Sequence, residues 1–376
     1  MNANGRKQRF LASLIPAILL VAIQAAAQTP RVSNAKMETR SAAVGLAQAF
    51  QSIVAGQASP AWIGYAVPAV SPDRQICCFD SYANNFDGNN GCGICRLEKS
   101  SGEINMNNRD SGGTGGDTVK LEGPRNIFIL FRVSDKRVEK IRLLSDDCQL
   151  DAGGLPLIWL TGAPPAESVA LLAPIAQQAP DEDSNHGSRV SQQALAAIAL
   201  TGDPAADKAL GSFAAPNQPE HLREKAAFWL GSARGKEGYE ILKRMAHDDS
   251  SDRVREKVTF ALSLSRQPEA VEEMIRMAKS DSSSRVRGQA LFWLGQKAGK
   301  KAVAAISDAI ENDPETEVKK KAVFALSQLP RDEAVPKLIE VAQSNRNREV
   351  RKQAMFWLGQ SNDPRALAFF EDVLEH

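Results

Sequence analysis

The sequence predicts a mainly α-helical protein: a right-handed superhelix of stacked helical hairpins, preceded by a small, disulfide-stapled α+β domain. Five copies of a short motif, FWLG or FALS, recur without slip every 32 residues in the C-terminal half. Prolines punctuate the same half at turn positions, where they suit the start of a helix and not its interior. The N-terminal half holds all five cysteines and long Asn/Gly-rich stretches instead. A fixed period of this size is typical of repeat architectures, in which each hairpin buries its apolar face against the next.

The first 27 residues have the pattern of a secretory signal peptide. Residues 6–9 carry three basic side chains, residues 10–23 are apolar except for Ser13, and residues 25–27 are three alanines. A small-residue site of this kind predicts cleavage after Ala27. An uncleaved membrane anchor is disfavoured because the apolar run is short and contains Pro16. We therefore expect a periplasmic or secreted protein with no stable membrane insertion after cleavage.

The charge balance predicts neither nucleic acid nor an anionic membrane as a partner. Without the three basic residues of the signal, the 46 basic residues fall to 43, against 45 acidic ones. A nearly neutral chain lacks the basic excess that predicts binding to nucleic acid or to an anionic membrane.

Residues 28–162 predict a small α+β domain. Leu46, Phe50 and Ile53 recur at helical spacing, and residues 31–58 are interpreted as helical. Alternating or continuous apolar runs predict four strands, and a Gly/Asn-rich loop is expected at about 80–118. The strands are placed at 62–67, 126–133, 137–143 and 155–160.

The cysteines are candidates for structural disulfides, since export implies an oxidising compartment. The expected state is two bridges with one cysteine left over: one of Cys77 and Cys78 joined to Cys148, the other to Cys92 or Cys95. Zinc binding is disfavoured because adjacent cysteines fit one tetrahedral ion poorly. A redox role for the C-x-x-C at 92–95 is disfavoured because such a motif should open a helix. Neither alternative is excluded.

No other constellation predicts chemistry. Asp87, Asn89 and Glu98 partly match a calcium loop, but Cys92 stands where the loop requires glycine, and the stretch is interpreted as a turn. None of the four histidines is followed by glutamate, and no nucleophile or zinc-protease motif occurs. The prediction is therefore no catalytic residue, no metal and no cofactor.

From residue 164 to 376 the helices are expected in pairs, a helix A and then a helix B. Each helix B opens with an aliphatic residue followed by a basic one, and a small or β-branched residue comes four positions after the aliphatic one. An earlier, degenerate copy is visible at 190–200. The basic column consists of Arg223, Arg255, Arg287, Lys319 and Arg351.

This V-R-x-x-A-x-x-x-L-G signature resembles HEAT-like repeats, of the shorter type found in phycobilisome-lyase-related proteins. The resemblance covers residues 164–376, and the combination with a signal peptide is similar to exported HEAT-repeat proteins of soil bacteria. It implies a right-handed α-solenoid whose B helices line a concave surface. It also implies that the basic column makes hydrogen bonds between repeats.

The tryptophans of the motif are interpreted as core residues. Trp229, Trp293 and Trp357 alternate at one register with Ala261 and Ala325. Large side chains beside small ones interdigitate, as close-packed interiors require.

The phenylalanines of the motif have two interpretations. Phe228, Phe260, Phe292, Phe324 and Phe356 lie off the predicted core face of helix B. They form either a hydrophobic stripe for a polypeptide partner or seals between successive repeats.

The preferred function is that of an exported scaffold that presents its helix-B surface to a protein or peptide. One alternative is a lyase-like enzyme or enzyme-maturation factor with its chemistry in the first domain. The other is a thiol-based sensor that uses the cysteines.

Overall fold

The computed structural model describes residues 29–71, 76, 94–98, 125–178, 185–297 and 299–375. Its N-terminal part contains eight described strands and one helix. In chain order they are β1 (Arg31–Ser33), β2 (Met37–Ser41), α1 (Leu46–Gly56), β3 (Ala61–Pro68), β4 (Ile94–Arg96), β5 (Asn126–Ser134), β6 (Arg137–Ser145), β7 (Gln149–Asp151) and β8 (Leu157–Thr161).

The larger sheet has five strands in the order β2-β8-β3-β5-β6. Strands β2, β8 and β3 run parallel, whereas β3, β5 and β6 form an antiparallel meander. A second, smaller parallel sheet, β1-β7-β4, packs against it through a shared apolar cluster. All four predicted strands are present, at β3, β5, β6 and β8.

The helical interpretation of residues 31–58 is correct only from Leu46 onward. Its first half forms β1 and β2, which pair with β7 and β8. Every residue of β2 is exposed, so its hydrogen bonds to β8 and not an apolar pattern hold it in place. The helical spacing used for the prediction comes from residues that are buried in α1.

The inner strands of the five-stranded sheet are buried on both faces. Ile63, Tyr65 and Phe131 belong to the apolar cluster shared with the helices, whereas Trp62, Phe128 and Trp159 belong to the cluster under the smaller sheet. Two-sided burial explains why β3 and β5 are almost continuously apolar.

Among the described residues thirteen α-helices follow, twelve of them in six A–B pairs. The A helices are α2 (Pro165–Ala176), α4 (Pro204–Phe213), α6 (Gly235–Asp248), α8 (Glu269–Ser280), α10 (Val303–Asn312), α12 (Arg331–Ser344) and the last element, α14 (Pro364–Glu375). The B helices are α3 (Asn185–Leu200), α5 (Glu220–Ala233), α7 (Asp252–Leu264), α9 (Ser284–Lys297), α11 (Thr316–Ser327) and α13 (Arg348–Gln360). The predicted paired helices are confirmed, and the degenerate first copy is α3.

The first helix pair packs directly on the sheet. The backbone N–H of Ile141 in β6 donates to Oε1 of Gln193 in α3 at 3.0 Å. The hydroxyls of Tyr65 and Ser168 lie 2.9 Å apart in the interior, and burial raises the pKa of Tyr65. One apolar cluster therefore runs from the sheet into the repeats.

Two cysteines lie within the described residues. Cys95 is disulfide-bonded and buried, and it occupies β4 and not a loop as predicted. Cys148 is a buried thiol that lies 3.4 Å from the carbonyl oxygen of Ile76, which contradicts its predicted disulfide with Cys77 or Cys78. Its position against the Ile76 carbonyl gives the sulfur a hydrogen-bond partner instead. Cys77, Cys78 and Cys92 lie outside the described residues, as does most of the predicted loop at 80–118.

No helix within the described ranges combines the length and the apolar character needed to cross a membrane.

Candidate protein-binding surface

The buried face of each B helix covers a wider part of the helix circumference than the motif alone predicts. In α5 the buried residues are Leu222, Arg223, Ala226, Ala227, Leu230 and Gly231. At roughly 100° per residue, this arc is centred close to Leu230. Trp229 then lies roughly 110° from the centre, at the margin, and Phe228 lies roughly 150° away.

This geometry corrects the prediction that the three tryptophans are core residues. Trp229, Trp293 and Trp357 are half-buried and pack against the core from its edge. The alanines at the same register, Ala261 and Ala325, are fully buried. The motif therefore places small residues at the tight contact between B helices and large ones at the rim.

The rim residues form a continuous row that we call the aromatic ladder. It runs over five successive B helices and consists of Phe228, Trp229, Phe260, Phe292, Trp293, Phe324, Phe356 and Trp357. Ring stacking joins Phe228 to Phe260, with centroids 6.2 Å apart, and Phe292 to Phe324, with centroids 6.0 Å apart.

Tryptophans connect these stacked pairs. Phe260 lies 4.8 Å from Trp293, and Phe324 lies 5.0 Å from Trp357, measured between ring centroids. Within one helix, Phe292 meets the edge of Trp293 at 4.8 Å. Such tilted and edge-on pairs are favourable geometries for aromatic rings, so the ladder is held together along its length.

The ladder both bridges repeats and remains accessible. Phe260, Phe292 and Phe324 are half-buried, since each packs against a ring of a neighbouring B helix. Phe228 is 38% exposed and Phe356 is 54% exposed. The ring contacts between B helices agree with the interpretation of the phenylalanines as seals between repeats, and the exposed area leaves surface on which a partner could bind.

Small residues make the contacts between successive B helices alternate, so that the pattern of the aromatic ladder recurs every two repeats. A Cβ atom on Gly295 would lie 2.7 Å from the carbonyl oxygen of Ala325, so α9 and α11 approach each other closely. Gly231 and Ala261 make the same contact between α5 and α7. The two stacked phenylalanine pairs occur at these same two contacts, and the Phe–Trp pairs occur at the others.

The basic column makes a series of buried ion pairs between successive repeats. Arg255 donates from Nε and Nη2 to both carboxylate oxygens of Asp281 in the next repeat, at 2.8 and 2.9 Å. Arg223 binds Asp249, and Arg287 binds Asp313, with the same geometry. The hydrogen bonding that Arg255 donates to the Asp281 carboxylate is the main cause that raises the pKa of Arg255. The predicted hydrogen bonds between repeats are confirmed at these three positions.

The next position replaces both partners. Lys319 donates to the backbone carbonyl of Glu311 at 2.6 Å, and Asn345 stands where the carboxylate would be. The Asn345 amide donates to the Glu311 carboxylate at 2.9 Å. An amide suits this place because an aspartate would face Glu311 with like charge.

The arginines are thus structural, and the ladder is the candidate functional surface. Within the described part of the chain, no group of three or more His, Cys, Asp or Glu side chains could hold a metal ion. Glu98, which the sequence placed at the end of a weak calcium motif, accepts hydrogen bonds from Trp62 and Arg132.

Comparison with known families agrees with this geometry. Residues 208–295 and 303–376 match the family model of HEAT repeats. HEAT-like repeats are therefore shown for this part of the chain. The HEAT-like recognition from the signature is therefore confirmed. No curated protein matches the sequence.

Three solved structures illustrate the proteins to which this chain is similar. The CpcE–CpcF complex of phycocyanin lyase from Nostoc sp. PCC7120 is 24% identical, with 41% of this chain and 99% of that chain covered and a TM-score of 0.33. Human deoxyhypusine hydroxylase is 18% identical, with coverages of 55% and 90% and a TM-score of 0.29. Kap95p, in its complex with RanGDP, is 17% identical, with coverages of 57% and 33% and a TM-score of 0.39.

Sequence reasoning found each residue of the ladder but not their arrangement. It separated the tryptophans from the phenylalanines, because it placed the former in the core. The available signal was the strict alternation of FWLG with FALS, which pairs Gly231 with Ala261 and Gly295 with Ala325 in close contacts between B helices.

Proposed function

We propose that this protein is an exported, non-enzymatic scaffold that binds a polypeptide partner on the aromatic ladder of its HEAT repeats. The observation that carries the proposal is the continuity of eight aromatic side chains over five B helices, with Phe228 and Phe356 exposed at its two ends. Soluble proteins rarely expose contiguous apolar surface without a use for it. Aromatic side chains are also enriched at the energetic centres of protein interfaces.

The rigidity of the surface supports this role. The arginine–aspartate contacts fix the spacing of successive repeats, and the Gly–Ala contacts fix α5 on α7 and α9 on α11. A surface that is preformed loses little conformational entropy when it binds. The HEAT-repeat family also implies that B helices line the concave side of the solenoid, where an elongated partner has most contact.

The test is partner capture by variants of the ladder. The combined substitutions Phe260→Ser, Phe292→Ser and Phe324→Ser should abolish capture of proteins from an envelope extract. The pair Phe228→Ser and Phe356→Ser tests the exposed ends with less disturbance of the contacts between repeats. Leu367→Ser is the matched control, because Leu367 is 62% exposed on the A helix α14 and is not part of the ladder.

Circular dichroism melting separates binding from folding. The proposal requires capture to fail while the helical signal and the melting temperature of the end variants stay close to those of the unchanged protein. If the triple variant melts far lower and the end variants capture partners normally, the phenylalanines serve only as seals between repeats.

Export is part of the proposal and has its own test. Amino-terminal sequencing of the protein from an envelope fraction should begin at Gln28. A chain that keeps Met1 would show that residues 1–27 are not removed.

The enzyme alternative makes a different prediction. Intact mass and metal analysis of the purified protein should show neither a covalent cofactor nor stoichiometric metal if the scaffold proposal is correct. A bound group retained by the N-terminal part would favour the enzyme or maturation factor.

A further inference from the structure

A row of lysines accompanies the aromatic ladder. The residue three positions before each phenylalanine is Lys225, Lys257, Gln289, Lys321 or Gln353 in successive B helices. Residues three apart share one face of a helix, so each of these side chains lies beside its phenylalanine. The row contains three cations and no acid. We call Lys225, Lys257 and Lys321 the lysine row.

Two of these lysines are held against the surface. A Cβ on Gly288 would lie 2.5 Å from Cδ of Lys321, so the Lys321 side chain crosses from α11 onto α9. Since Gly288 precedes Phe292 by one helical turn, this ammonium group sits beside the Phe292–Phe324 stack. Lys225 is half-buried, and loss of solvent lowers its pKa even though the neighbouring Glu224 carboxylate acts in the opposite direction.

The acidic residues nearby are already engaged. Glu224 pairs with Arg253 at 2.8 Å, and Glu256 pairs with Arg285 at 3.3 Å, in both cases across successive B helices. Farther along, Glu317 pairs with Lys320 at 3.0 Å, and Glu349 pairs with Lys352 at 3.0 Å. Among the described residues, the lysine row itself makes no ion pair. Acidic groups of a partner would therefore meet cations without displacing internal partners.

The spacing of the helices favours an extended partner. Packed helices lie about 8–10 Å apart, and an extended chain of the polyproline-II type advances about 3.1 Å per residue with three residues per turn. Every third residue of such a chain then faces the next B helix. Five B helices would accommodate about thirteen residues, with one apolar side chain for each phenylalanine.

We propose that the aromatic ladder and the lysine row together bind an extended polypeptide segment that has an apolar residue at every third position and acidic residues between them. This inference rests on the proposed scaffold function and specifies the chemistry of its partner. The rings provide the apolar contact, and the lysines select for carboxylates and fix the side on which the backbone lies.

The test uses defined peptides and the full-length processed protein. The probe is a fluorescein-labelled thirteen-residue peptide, four Leu-Glu-Ser triplets followed by Leu. One control replaces each Glu by Lys, and a second has the composition of the probe with the leucines clustered. Fluorescence anisotropy should show binding of the probe at least about tenfold tighter than either control, and weaker binding at raised ionic strength.

Matched protein variants locate the contact. The combined substitutions Lys225→Gln, Lys257→Gln and Lys321→Gln should weaken probe binding about tenfold and remove most of its salt dependence. The same change of charge at Lys208, Lys236 and Lys243, which are exposed on the A helices α4 and α6, should leave binding unchanged.

Equal binding of the Glu and Lys peptides overturns the acidic specificity, and equal binding of the clustered peptide overturns the extended register. If no peptide binds, the inference about the partner is wrong. The scaffold function then stands or falls on the capture experiment with the phenylalanine variants, which uses no designed peptide.

Discussion

Gly231 in α5 lies directly against the backbone of Ala261 in α7. A Cβ atom on Gly231 would come within 2.1 Å of the Ala261 carbonyl oxygen and within 3.0 Å of its Cα. Backbone atoms cannot yield as the end of a flexible side chain can, so the contact requires glycine. It also brings Phe228 and Phe260 into their stacked arrangement.

The first prediction contrasts glycines of the same motif. Gly231→Ala and Gly295→Ala should each lower the free energy of unfolding by about 2 kcal/mol or more, because the added methyl group forces two B helices apart. Gly359→Ala should raise it by up to about 1 kcal/mol, because alanine is the better helix former. Gly359 has no atom within 4 Å of an added Cβ.

Thermal and urea unfolding of the three variants check this prediction. Gly359 is the control, since it has the same neighbours in sequence, FWLG, without the contact. Equal effects at all three positions would show that helix propensity and not the contact between helices determines the choice of glycine.

The second prediction concerns the arginine contacts. Arg255 and Asp281 are 9% and 8% exposed, and each is the main charged partner of the other. Arg255→Ala should cost about 3–5 kcal/mol, because it leaves the Asp281 carboxylate buried without its partner. The double variant Arg255→Ala with Asp281→Ala should cost less than the sum of the single variants.

A double-mutant cycle by urea unfolding measures this coupling. Arg285 is a suitable control position: it is also paired, with Asp252 at 2.8 Å, but it is exposed. Exposed ion pairs contribute little to stability because solvent screens them, so Arg285→Ala should have a small effect. Additive effects at Arg255 and Asp281 would contradict the buried contact.

The repeats could be predicted from the sequence because the same burial requirement recurs in five successive B helices. Each B helix has to bury the same face, so the same residue types recur, and the arginine column can be recognised before its partners are known. The partners themselves are harder to find. Asp249, Asp281 and Asp313 lie 26 residues after their arginines, outside the motif, and only the stacking of repeats brings them together.

The position of the tryptophans could not be predicted for a related reason. The spacing of apolar residues along one helix locates the edge of the buried face only to within about one residue. Trp229 lies at that edge. The buried Arg223 and Gly231 extend the core arc on the opposite side, because the neighbouring repeat supplies an aspartate and a close backbone contact. Both contacts arise between repeats.

Strands β1 and β2 illustrate the same limit at the other end of the chain. Residues 37–41 are all exposed and have no apolar pattern. Parallel pairing with β8, which follows more than 100 residues later, holds β2 in place. Local sequence does not contain that pairing.

The third prediction concerns acid sensitivity near α14. The side chain and backbone N–H of Arg365 hydrogen-bond to Asp363 and lower the pKa of its carboxyl group from the ordinary 3.8 to about 2. A carboxyl group with a lower pKa in the folded state stabilises that state above the unfolded pKa. This stabilisation is complete above about pH 4 and is lost as the pH falls toward 2.

Amide hydrogen exchange in α14 tests this prediction. The difference in protection between the unchanged protein and Asp363→Asn should be constant from pH 7 to about pH 4 and should shrink below it. A difference that persists unchanged at pH 2 would show that Asp363 does not titrate in this range.

The last prediction uses the indole N–H groups of the aromatic ladder. The Nε1 atoms of Trp293 and Trp357 are buried and have no hydrogen-bond acceptor among the described residues. The Nε1 atom of Trp229 is not a buried donor without an acceptor. An unsatisfied buried donor costs about 1–3 kcal/mol. Trp293→Phe removes that donor along with some apolar contact, so we expect the free energy of unfolding to change by less than about 1 kcal/mol.

Trp293→Ala should cost about 2–3 kcal/mol, because it also removes the ring contacts to Phe260 and Phe292 from a half-buried site. Trp229→Phe is the matched control, and it should be more destabilising than Trp293→Phe, because it loses contact area without removing an unsatisfied donor. Urea unfolding of the three variants orders them. If Trp293→Phe is as destabilising as Trp293→Ala, the indole N–H of Trp293 has an acceptor, and the edge of the aromatic ladder holds a polar contact that selects tryptophan at this position.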